Sequence, residues 1–348
     1  MKALTFRGRQ NIQFESVPDP EILDPLDAIV KVTLTAICGS DLHIYHEREH
    51  GCDHGTVMGH EFTGEIMAIG SGVKTHRIGD KVISPFTTNC GTCYFCKIGL
   101  TARCTSSQLY GWVEGGKGLH GGQSQYVRVP TADATLRSLP DGVSQEEAIL
   151  LGDVFSTGFF CAQNAEIRPD GTYVVIGCGP VGLMAIVSAI ELGATKVFAV
   201  DSIPARLNKA QQFGAIPVNY KETSVVDMIM ESTKGIGADA TMEAVGNHGA
   251  GQLAMELIRP GGIVSTAGVC NDKHMAFSPV QAYNKNLTFK VGRCSARYFM
   301  DGLIPVVQEK KYDISSIITH KISLSEGKRG YDVFDKKEDD CLKVVLVP

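Results

Sequence analysis

The segment from residue 172 to residue 192 constrains the fold of this chain more than any other stretch. A buried β-type run, residues 172–176, leads directly into Gly177-Cys-Gly179-Pro180-Val181-Gly182, and residues 181–192 have the apolar pattern of a buried helix. A G-x-G-x-x-G pattern is weak evidence alone, but between a strand and a helix it is typical of a loop that binds a pyrophosphate at the helix N-terminus. The segment therefore predicts a dinucleotide-binding βαβ unit.

The residue that ends the next predicted strand, residues 196–200, bears on the choice between NAD and NADP. It ends in Asp201, which follows Gly182 by about 20 residues, the spacing expected for the acid that hydrogen-bonds the adenosine ribose. A carboxylate there repels a 2′-phosphate, so the sequence favours NAD over NADP. Arg206 is the contrary signal, since a nearby cation could accommodate that phosphate; we favour a solvated helix charge or a ribose contact.

Strands alternate with helices up to residue 291, which predicts a parallel sheet with right-handed crossovers. Ligands bind at the carboxyl ends of such strands, so we expect the cofactor to contact Val245, Gly246, Gly268 and Val269. From residue 292 onward, strands no longer alternate with helices. The sequence of this tail predicts one helix, residues 300–309, and a final strand, residues 343–347.

Residues 38–61 contain the side chains expected of a metal centre. Cys38 and His60 offer a thiolate and an imidazole, and Asp153 places a carboxylate inside an apolar run where an unpaired charge would be costly. A catalytic zinc uses three such protein ligands and leaves one position for water or substrate. The sequence therefore predicts a catalytic zinc held by Cys38, His60 and Asp153.

Four further cysteines lie close together in a second pattern. Cys90, Cys93, Cys96 and Cys104 follow a C-x2-C-x2-C-x7-C order. Four thiolates at short spacing fit a closed tetrahedral zinc site. An iron–sulfur cluster is the alternative, although ferredoxins space the fourth cysteine differently. Because a closed site has no position for a substrate, we expect a structural ion.

Composition limits the possible functions. A chain of 348 residues is long enough for two domains, and a net charge of −5 gives no basic footprint for nucleic acid. No apolar run reaches the roughly 18 residues of a membrane span, and the N-terminus lacks the apolar core of a signal peptide. We expect a cytoplasmic protein whose cysteines are reduced or bind metal rather than form disulfides.

These motifs together resemble the zinc-containing medium-chain alcohol dehydrogenase family. They occur in the family's order over nearly the whole chain, and the aspartate at position 153, where many members carry cysteine, resembles bacterial tetrameric alcohol dehydrogenases and formaldehyde dehydrogenases. The resemblance implies an α/β fold: a Rossmann doubly wound parallel sheet plus a discontinuous β-rich GroES-like catalytic domain, with the active site in the cleft between them. The expected segments are the catalytic domain in 1–153, with a zinc lobe at 86–106, the Rossmann domain in 154–291, and a return to the catalytic domain in 292–348.

The resemblance also implies roles for individual residues. Ser40 would take the hydroxyl proton and His43 would pass it to solvent, while Asp41 would orient His60. Glu61 would be either a second carboxylate behind the ligands or an alternative zinc ligand, and we favour transient ligation. Thr157 would bind the nicotinamide. Phe86 and Trp112 would line the substrate pocket, with packing in the core as an equally weighted alternative for each. The pyrophosphate would lie against the glycine loop and the start of the helix after it: Gly177, Gly179, Pro180, Val181 and Gly182.

The predicted function is the reversible, NAD-dependent oxidation of a primary or secondary alcohol to an aldehyde or ketone, with two Zn²⁺ per chain. A polyol dehydrogenase and a formaldehyde dehydrogenase or dismutase are alternatives, and an inactive nucleotide-binding structural protein is the alternative from another class. We expect a homo-oligomer, with a tetramer favoured over a dimer, and neither a nucleic-acid nor a membrane partner. His46, His50, Cys52 and His54 suggest a solvated loop, with substrate gating or an adventitious metal site as alternatives.

Overall fold

The computed structural model describes all 348 residues and divides the chain into two compact units. One unit consists of Met1–Ser156 together with Ser295–Pro348, and the other is Thr157–Cys294. The first unit is therefore built from both ends of the chain. The second is one continuous segment.

The N-terminal segment of the first unit is rich in short strands. Its elements are β1 (Lys2–Phe6), β2 (Ile12–Ser16), β3 (Ala28–Ile37), α1 (Asp41–Tyr45), β4 (Glu61–Ile69), β5 (Lys81–Ser84), α2 (Tyr94–Lys97), β6 (Trp112–Glu114), β7 (Lys117–Leu119), β8 (Tyr126–Val129), α3 (Ala132–Thr135), β9 (Arg137–Ser138) and α4 (Gln145–Leu151). The junction with the second unit falls inside the next helix, α5 (Val154–Asn164).

The second unit alternates strands with helices. Its elements are β10 (Tyr173–Ile176), α6 (Pro180–Glu191), β11 (Val197–Asp201), α7 (Pro204–Gln212), β12 (Ile216–Asn219), α8 (Val225–Ser232), β13 (Ala238–Glu243), α9 (His248–Leu257), β14 (Ile258–Thr266), α10 (Pro279–Lys285) and β15 (Thr288–Val291). The tail then returns to the first unit with α11 (Ala296–Gln308), β16 (Ile318–Ser323), α12 (Gly327–Lys336) and β17 (Lys343–Val347).

The sheet of the second unit is parallel throughout, in the order β12-β11-β10-β13-β14-β15. Strands β10, β11 and β13 are buried almost completely, as expected where helices cover both faces of a sheet. Ile176, Val200 and Glu243 share one register level, so the loops after these strands open at a single edge. The α/β class and the Rossmann-like sheet predicted from the sequence are confirmed.

The main sheet of the first unit centres on β3, an almost continuously buried strand. The order is β16-β17-β3-β4-β5-β9, and β8 also pairs with β3. The last strand of the chain therefore lies beside β3, with Val344 opposite Ile37, while Glu61 lies opposite Ala36 on the other side of β3. This arrangement brings residues from both ends of the chain to the carboxyl end of β3.

The prediction of a single helix in the tail is wrong. The structure has α11, which begins before the predicted helix, and a second helix, α12, followed by β17. Tyr331 and Phe334 of α12 are buried in the same apolar cluster as Leu4 of β1 and Tyr45 of α1. The tail is thus part of the first unit's core. None of the helices combines the length and the apolar character needed to cross a membrane.

Candidate metal centre and cofactor site

Four side chains from three parts of the first unit converge at the carboxyl end of β3. Cys38 follows β3, His60 directly precedes β4, Glu61 begins β4, and Asp153 follows α4. One ligand atom from each lies within 4.8 Å of the others, and all four residues are buried. The three predicted zinc ligands and Glu61 are therefore brought together, although they are distant in sequence.

The loop after β3 is closed by hydrogen bonds that position the Cys38 side chain. The Asp41 carboxylate accepts the Cys38 N–H at 2.9 Å, and the Cys38 carbonyl accepts the Asp41 N–H at 3.1 Å. The other carboxylate oxygen of Asp41 lies 3.2 Å from His60 Nδ1. Asp41 thus holds both the thiol loop and the imidazole.

Asp153 reaches the centre because the chain before it packs closely against β5. A Cβ on Gly152 would lie 2.3 Å from the Ser84 carbonyl oxygen, so a larger residue would push the two segments apart. Helix α4 itself is started by a capping box in which Ser144 and Glu147 satisfy each other's backbone N–H groups. These local features place the Asp153 carboxylate at the end of α4.

Distances within the cluster suit a shared cation. Asp153 Oδ2 lies 3.4 Å from Cys38 Sγ and 3.3 Å from His60 Nε2. Ser40 precedes α1, yet its hydroxyl makes no bond to the helix; instead Ser40 Oγ lies 3.3 Å from His60 Nε2. Because Asp41 faces Nδ1, Nε2 is the imidazole atom that faces the cluster.

The electrostatics of the cluster fit a bound positive ion. Burial and then the Asp153 carboxylate raise the pKa of the Cys38 thiol to about 11. Burial lowers the pKa of His60, but Asp41 and Cys38 outweigh it and raise that pKa well above its ordinary value. Glu61 Oε2 is buried without a hydrogen-bond partner. A Zn²⁺ ion would stabilise the Cys38 thiolate and could serve as the partner of the buried Glu61 oxygen, so the donor set fits the metal.

Lys343 is a residue of this centre that the sequence analysis missed. Its Nζ lies 2.5 Å from Glu61 Oε1 and donates to the Ile37 carbonyl at 3.1 Å, and both Lys343 and Glu61 are completely buried. Burial lowers the pKa of Lys343, but the negative groups around it, Glu61 first and then Cys38 and Asp153, together raise it above its ordinary value, so the lysine stays charged. A lysine at the start of an otherwise apolar final strand was the available signal, because buried lysines need a partner.

Other residues with predicted roles lie around this centre. Phe86 is buried with its ring 6.2 Å from that of His60, and Trp112 is half-buried against the apolar cluster that contains Met58. His43 is half-buried on α1, where burial and then Arg48 lower its pKa.

The histidine-rich loop does not form a metal site. His46 Nε2 lies 2.8 Å from Asp335 Oδ1, His54 stacks edge-on against Phe6, and Cys52 packs against the core. Their side chains have separate partners, and the two groups capable of holding a metal lie elsewhere.

The second of those groups is Cys90, Cys93, Cys96 and Cys104, whose sulfur atoms lie within 4.8 Å of one another. Backbone N–H groups of Cys90 and Ser106 donate to Cys104 Sγ at 3.2 and 3.4 Å, and the N–H of Cys93 donates to Cys90 Sγ at 3.4 Å. Backbone N–H groups of Cys96 and Thr105 lower the pKa of Cys93 to about 6. Such donors stabilise thiolates, as a four-sulfur metal site requires. All eleven cysteines are free thiols.

The glycine loop after β10 has the geometry of a phosphate-binding turn. Gly177 has a φ of +88°, and a Cβ on Gly182 would lie 1.8 Å from the Gly177 carbonyl oxygen, so both positions require glycine. A Cβ on Gly179 would meet only Arg206, at 3.8 Å, which leaves the loop open to a ligand. Pro180 and Val181 then begin α6, a helix whose N-terminus follows the loop directly.

Asp201 holds the end of β11 against this loop. Its Oδ2 accepts the Cys178 N–H at 2.8 Å, and its Oδ1 accepts the N–H groups of Ser202 and Ile203 at 2.7 and 3.0 Å. Arg206 Nη1 lies 3.6 Å from Asp201 Oδ2. The arginine therefore faces the carboxylate at the position predicted for the ribose.

The other predicted cofactor residues follow the neighbouring strands at the same edge. Val245 and Gly246 follow β13 and donate their N–H groups to Glu243 Oε1 at 2.6 and 2.7 Å. A Cβ on Gly268, which follows β14, would lie 2.2 Å from Gly246 N. Val245 and Val269 are exposed. Thr157 lies in α5, and its predicted contact with the nicotinamide stays a prediction.

Comparison with known proteins agrees with this architecture. Residues 24–141 match the alcohol dehydrogenase GroES-like domain, and residues 180–309 match the zinc-binding dehydrogenase domain. The chain is 40% identical to zinc-type alcohol dehydrogenase B of Aspergillus flavus over 343 residues, which is 96% of this chain and 79% of that protein. It is 32% identical to the NADP-dependent isopropanol dehydrogenase of Thermoanaerobacter brockii over 93% of each chain.

Among solved structures, the alcohol dehydrogenase TADH from Thermus sp. ATN1 superposes with a TM-score of 0.93 at 39% identity, covering 100% of this chain and 99% of that one. The two family models and these relatives agree with the motifs from which the resemblance was inferred. The chain thus belongs to the zinc-containing medium-chain alcohol dehydrogenase family.

Proposed function

We propose that this protein transfers a hydride between a primary or secondary alcohol and NAD, using a catalytic zinc held by Cys38, His60 and Asp153. The observation that carries the proposal is the convergence of these three buried side chains at the end of β3. A thiolate and a carboxylate neutralise the two charges of Zn²⁺, and the neutral imidazole completes a set of three ligands. When bound, zinc supplies Lewis acidity to the oxygen of the alcohol.

Ser40 and His43 are proposed to move the hydroxyl proton. Ser40 Oγ is not used to cap α1 and lies beside His60, so it is available to accept a hydrogen bond from a substrate hydroxyl at the cluster. His43 lies on the same short helix with its pKa lowered by burial and by Arg48, which keeps the ring neutral near pH 7. A neutral imidazole can receive a proton and release it to solvent.

Glu61 is proposed to act as a transient ligand. Its Oε1 is held by Lys343, whereas its Oε2 is buried without a hydrogen-bond partner, and one of the two oxygens belongs to the group of four ligand atoms. A carboxylate tethered at one oxygen can offer the other to the metal while water or product exchanges. The fourth protein ligand would then leave when substrate binds.

NAD is proposed as the cofactor because Asp201 is fixed by three backbone N–H groups at the end of β11. Its negative charge favours the ribose hydroxyls and repels a 2′-phosphate. Arg206 lies against this carboxylate and partly neutralises the negative charge of Asp201. The Thermoanaerobacter brockii relative is NADP-dependent, so activity with NAD has to be compared with activity with NADP.

Replacing Asp201 with glycine is expected to relax the preference for NAD, because it removes the charge that repels the 2′-phosphate and frees Arg206 to meet it. The measurement is the ratio of kcat/KM for NAD to kcat/KM for NADP, which should fall by at least about tenfold. Asp201→Asn keeps an oxygen acceptor for the loop and removes only the charge, so it should lower the ratio in the same direction. A parent enzyme that works better with NADP would refute the cofactor assignment.

The four-cysteine group is proposed to hold a second, structural zinc, which gives two ions per chain. The support is the convergence of four sulfur atoms, of which Cys90 Sγ and Cys104 Sγ accept backbone N–H groups. Metal quantification of the purified protein tests this number directly. Iron in place of zinc would favour the iron–sulfur alternative.

A substrate screen combined with zinc quantification tests the activity itself. Simple primary and secondary alcohols should be oxidised faster than sugar alcohols, which a polyol dehydrogenase would prefer. NAD that remains bound through purification would favour a formaldehyde dismutase. Absence of turnover on every alcohol, with both metal sites full, would support an inactive nucleotide-binding protein.

We also propose a homo-oligomer, with a tetramer favoured over a dimer. Strand β15 is the outer strand of the parallel sheet; its residue Val291 is exposed, as are Val280 and Tyr283 of α10. Light scattering during gel filtration gives the molar mass that tests this. A cytoplasmic location stays a prediction, supported by eleven free thiols, which suit a reducing compartment.

A further inference from the structure

A buried chain of hydrogen bonds leads from helix α12 to the proposed metal ligand His60. The Tyr331 hydroxyl donates to Gln123 Oε1 at 2.8 Å, and Gln123 Nε2 donates to Asp41 Oδ2 at 3.2 Å. Asp41 Oδ1 in turn lies 3.2 Å from His60 Nδ1. Neither Gln123 nor Tyr331 has a role in the site as described above.

The orientation of the Gln123 amide follows from its partners. Gln123 Nε2 also donates to the Ala36 carbonyl at 3.1 Å, and a carbonyl can only accept. The phenol of Tyr331 supplies the donor that the amide oxygen needs on the opposite side. The amide can therefore satisfy all three neighbours in one orientation only, the one that presents N–H to Asp41.

Water cannot replace these contacts. Gln123 and Tyr331 are 0% exposed, and Asp41 is 1% exposed. The side chain of Gln123 fills its space, because a Cβ on Gly59 would lie 2.4 Å from Gln123 Cγ. Burial and then the charge of Asp41 raise the pKa of Tyr331 well above its ordinary value, so the phenol remains a donor.

We propose that Gln123 and Tyr331 are positioning residues that hold Asp41 so that His60 presents Nε2 to the metal. Asp41 Oδ2 accepts both the Cys38 N–H and the Gln123 N–H, which fixes the plane of the carboxylate. In that plane Oδ1 accepts the His60 Nδ1–H and leaves the Nε2 lone pair free for zinc. The inference rests on the proposed catalytic zinc.

The test compares Gln123→Met, which keeps the side-chain length without its amide, with Tyr331→Phe, which removes only the hydroxyl. The zinc-loaded protein is exposed to a chelator, and release of each ion is followed over time. We expect the catalytic ion of Gln123→Met to leave about tenfold faster than in the parent, with a smaller acceleration in Tyr331→Phe. The four-cysteine ion should leave at the parent rate and so reports that the fold is intact.

Tyr45→Phe is the matched control. The Tyr45 hydroxyl donates to Asp332 at 3.1 Å, and its ring lies 5.4 Å from that of Tyr331 in the same apolar cluster, but it is not in the chain to His60. Its loss should leave release of both ions unchanged. Cobalt substituted at the catalytic site gives a second readout, since its visible bands should shift in Gln123→Met and not in Tyr45→Phe.

Parent-like zinc release and cobalt bands in both Gln123→Met and Tyr331→Phe would overturn the inference, as would an equal effect of Tyr45→Phe. If Gln123→Met fails to fold, Tyr331→Phe alone decides between these outcomes. A parent protein with no ion bound by Cys38, His60 and Asp153 would instead refute the proposed function. The two failures are therefore distinguishable.

Discussion

Replacing Asp153 with alanine is expected to abolish alcohol oxidation and to lower the zinc content by one ion per chain. Asp153 Oδ2 lies within 3.4 Å of Cys38 Sγ and His60 Nε2, so its loss removes one of three proposed ligands and half of the negative charge that neutralises the ion. Turnover should fall at least about 10³-fold, since the proposed reaction depends on the Lewis acid. Activity and metal content are measured on the same sample.

Two comparisons make this result specific. Asp153→Cys keeps an anionic ligand of the kind that many relatives carry at this position, so it should retain the ion that Asp153→Ala loses. The four-cysteine group lies in a different loop and should keep its ion in both variants. Full activity of Asp153→Ala, or loss of both ions together, would contradict the assignment of Asp153 as a ligand.

The features that could be predicted from the sequence were local ones. The glycine loop and the acid at the end of β11 depend on a strand, a turn and a helix that follow one another along the chain. Within such a stretch, Gly177 is required by its own φ of +88°, and Gly182 is required by the nearby Gly177 carbonyl oxygen. Local spacing was therefore enough to predict the fold class and the strand ends that are expected to contact the cofactor.

In the tail, the final strand was predicted at its observed bounds, residues 343–347, but α12 was missed because packing overrides local propensity there. Gly327 and Gly330 lie in α12, where glycine is normally unfavourable. A Cβ on Gly327 would lie 2.2 Å from Leu4, and one on Gly330 would lie 3.1 Å from Ile37, so the helix needs glycine to approach these strands. Strand β12 contains Pro217, which fits because β12 is an edge strand, where proline is tolerated.

In the metal centre, too, some residues could be predicted from the sequence and others could not. Cys38, His60 and Asp153 could be nominated because their chemistry is unusual for their surroundings, and the four cysteines because their spacing is short. Gln123 offered no such signal, and the lysine in the apolar final strand did not reveal its partner, because the partners are remote: Tyr331 is 208 residues from Gln123, and Glu61 is 282 residues from Lys343. Only the pairing of β17 with β3 brings that lysine to the centre.

Replacing Lys343 with methionine is expected to destabilise the first unit by about 3–5 kcal/mol, the usual cost of removing one partner from a buried ion pair. The Glu61 carboxylate would keep its buried position but lose the ammonium at 2.5 Å, and Ile37 would lose the donor to its carbonyl. For a unit of this size the midpoint of thermal unfolding should fall by roughly 10 °C. Calorimetry of the zinc-loaded protein measures this.

The double variant Lys343→Met/Glu61→Gln shows whether the loss of stability comes from the unpaired charge of Glu61 or from the lost contacts of the Lys343 side chain. If the cost arises because Glu61 is left charged in an apolar site, neutralising it should recover most of the stability, since replacing both members of a buried pair is often close to neutral. Lys321→Met is the matched surface control: Lys321 pairs with Glu146 at 2.9 Å, but Lys321 is 57% exposed, so its loss should cost about 1 kcal/mol or less. Equal effects of the buried and exposed lysines would show that Glu61 does not depend on Lys343. A large loss in the single variant alone would mean that the carboxylate next to His60 is held charged, inside the unit, by the last strand of the chain.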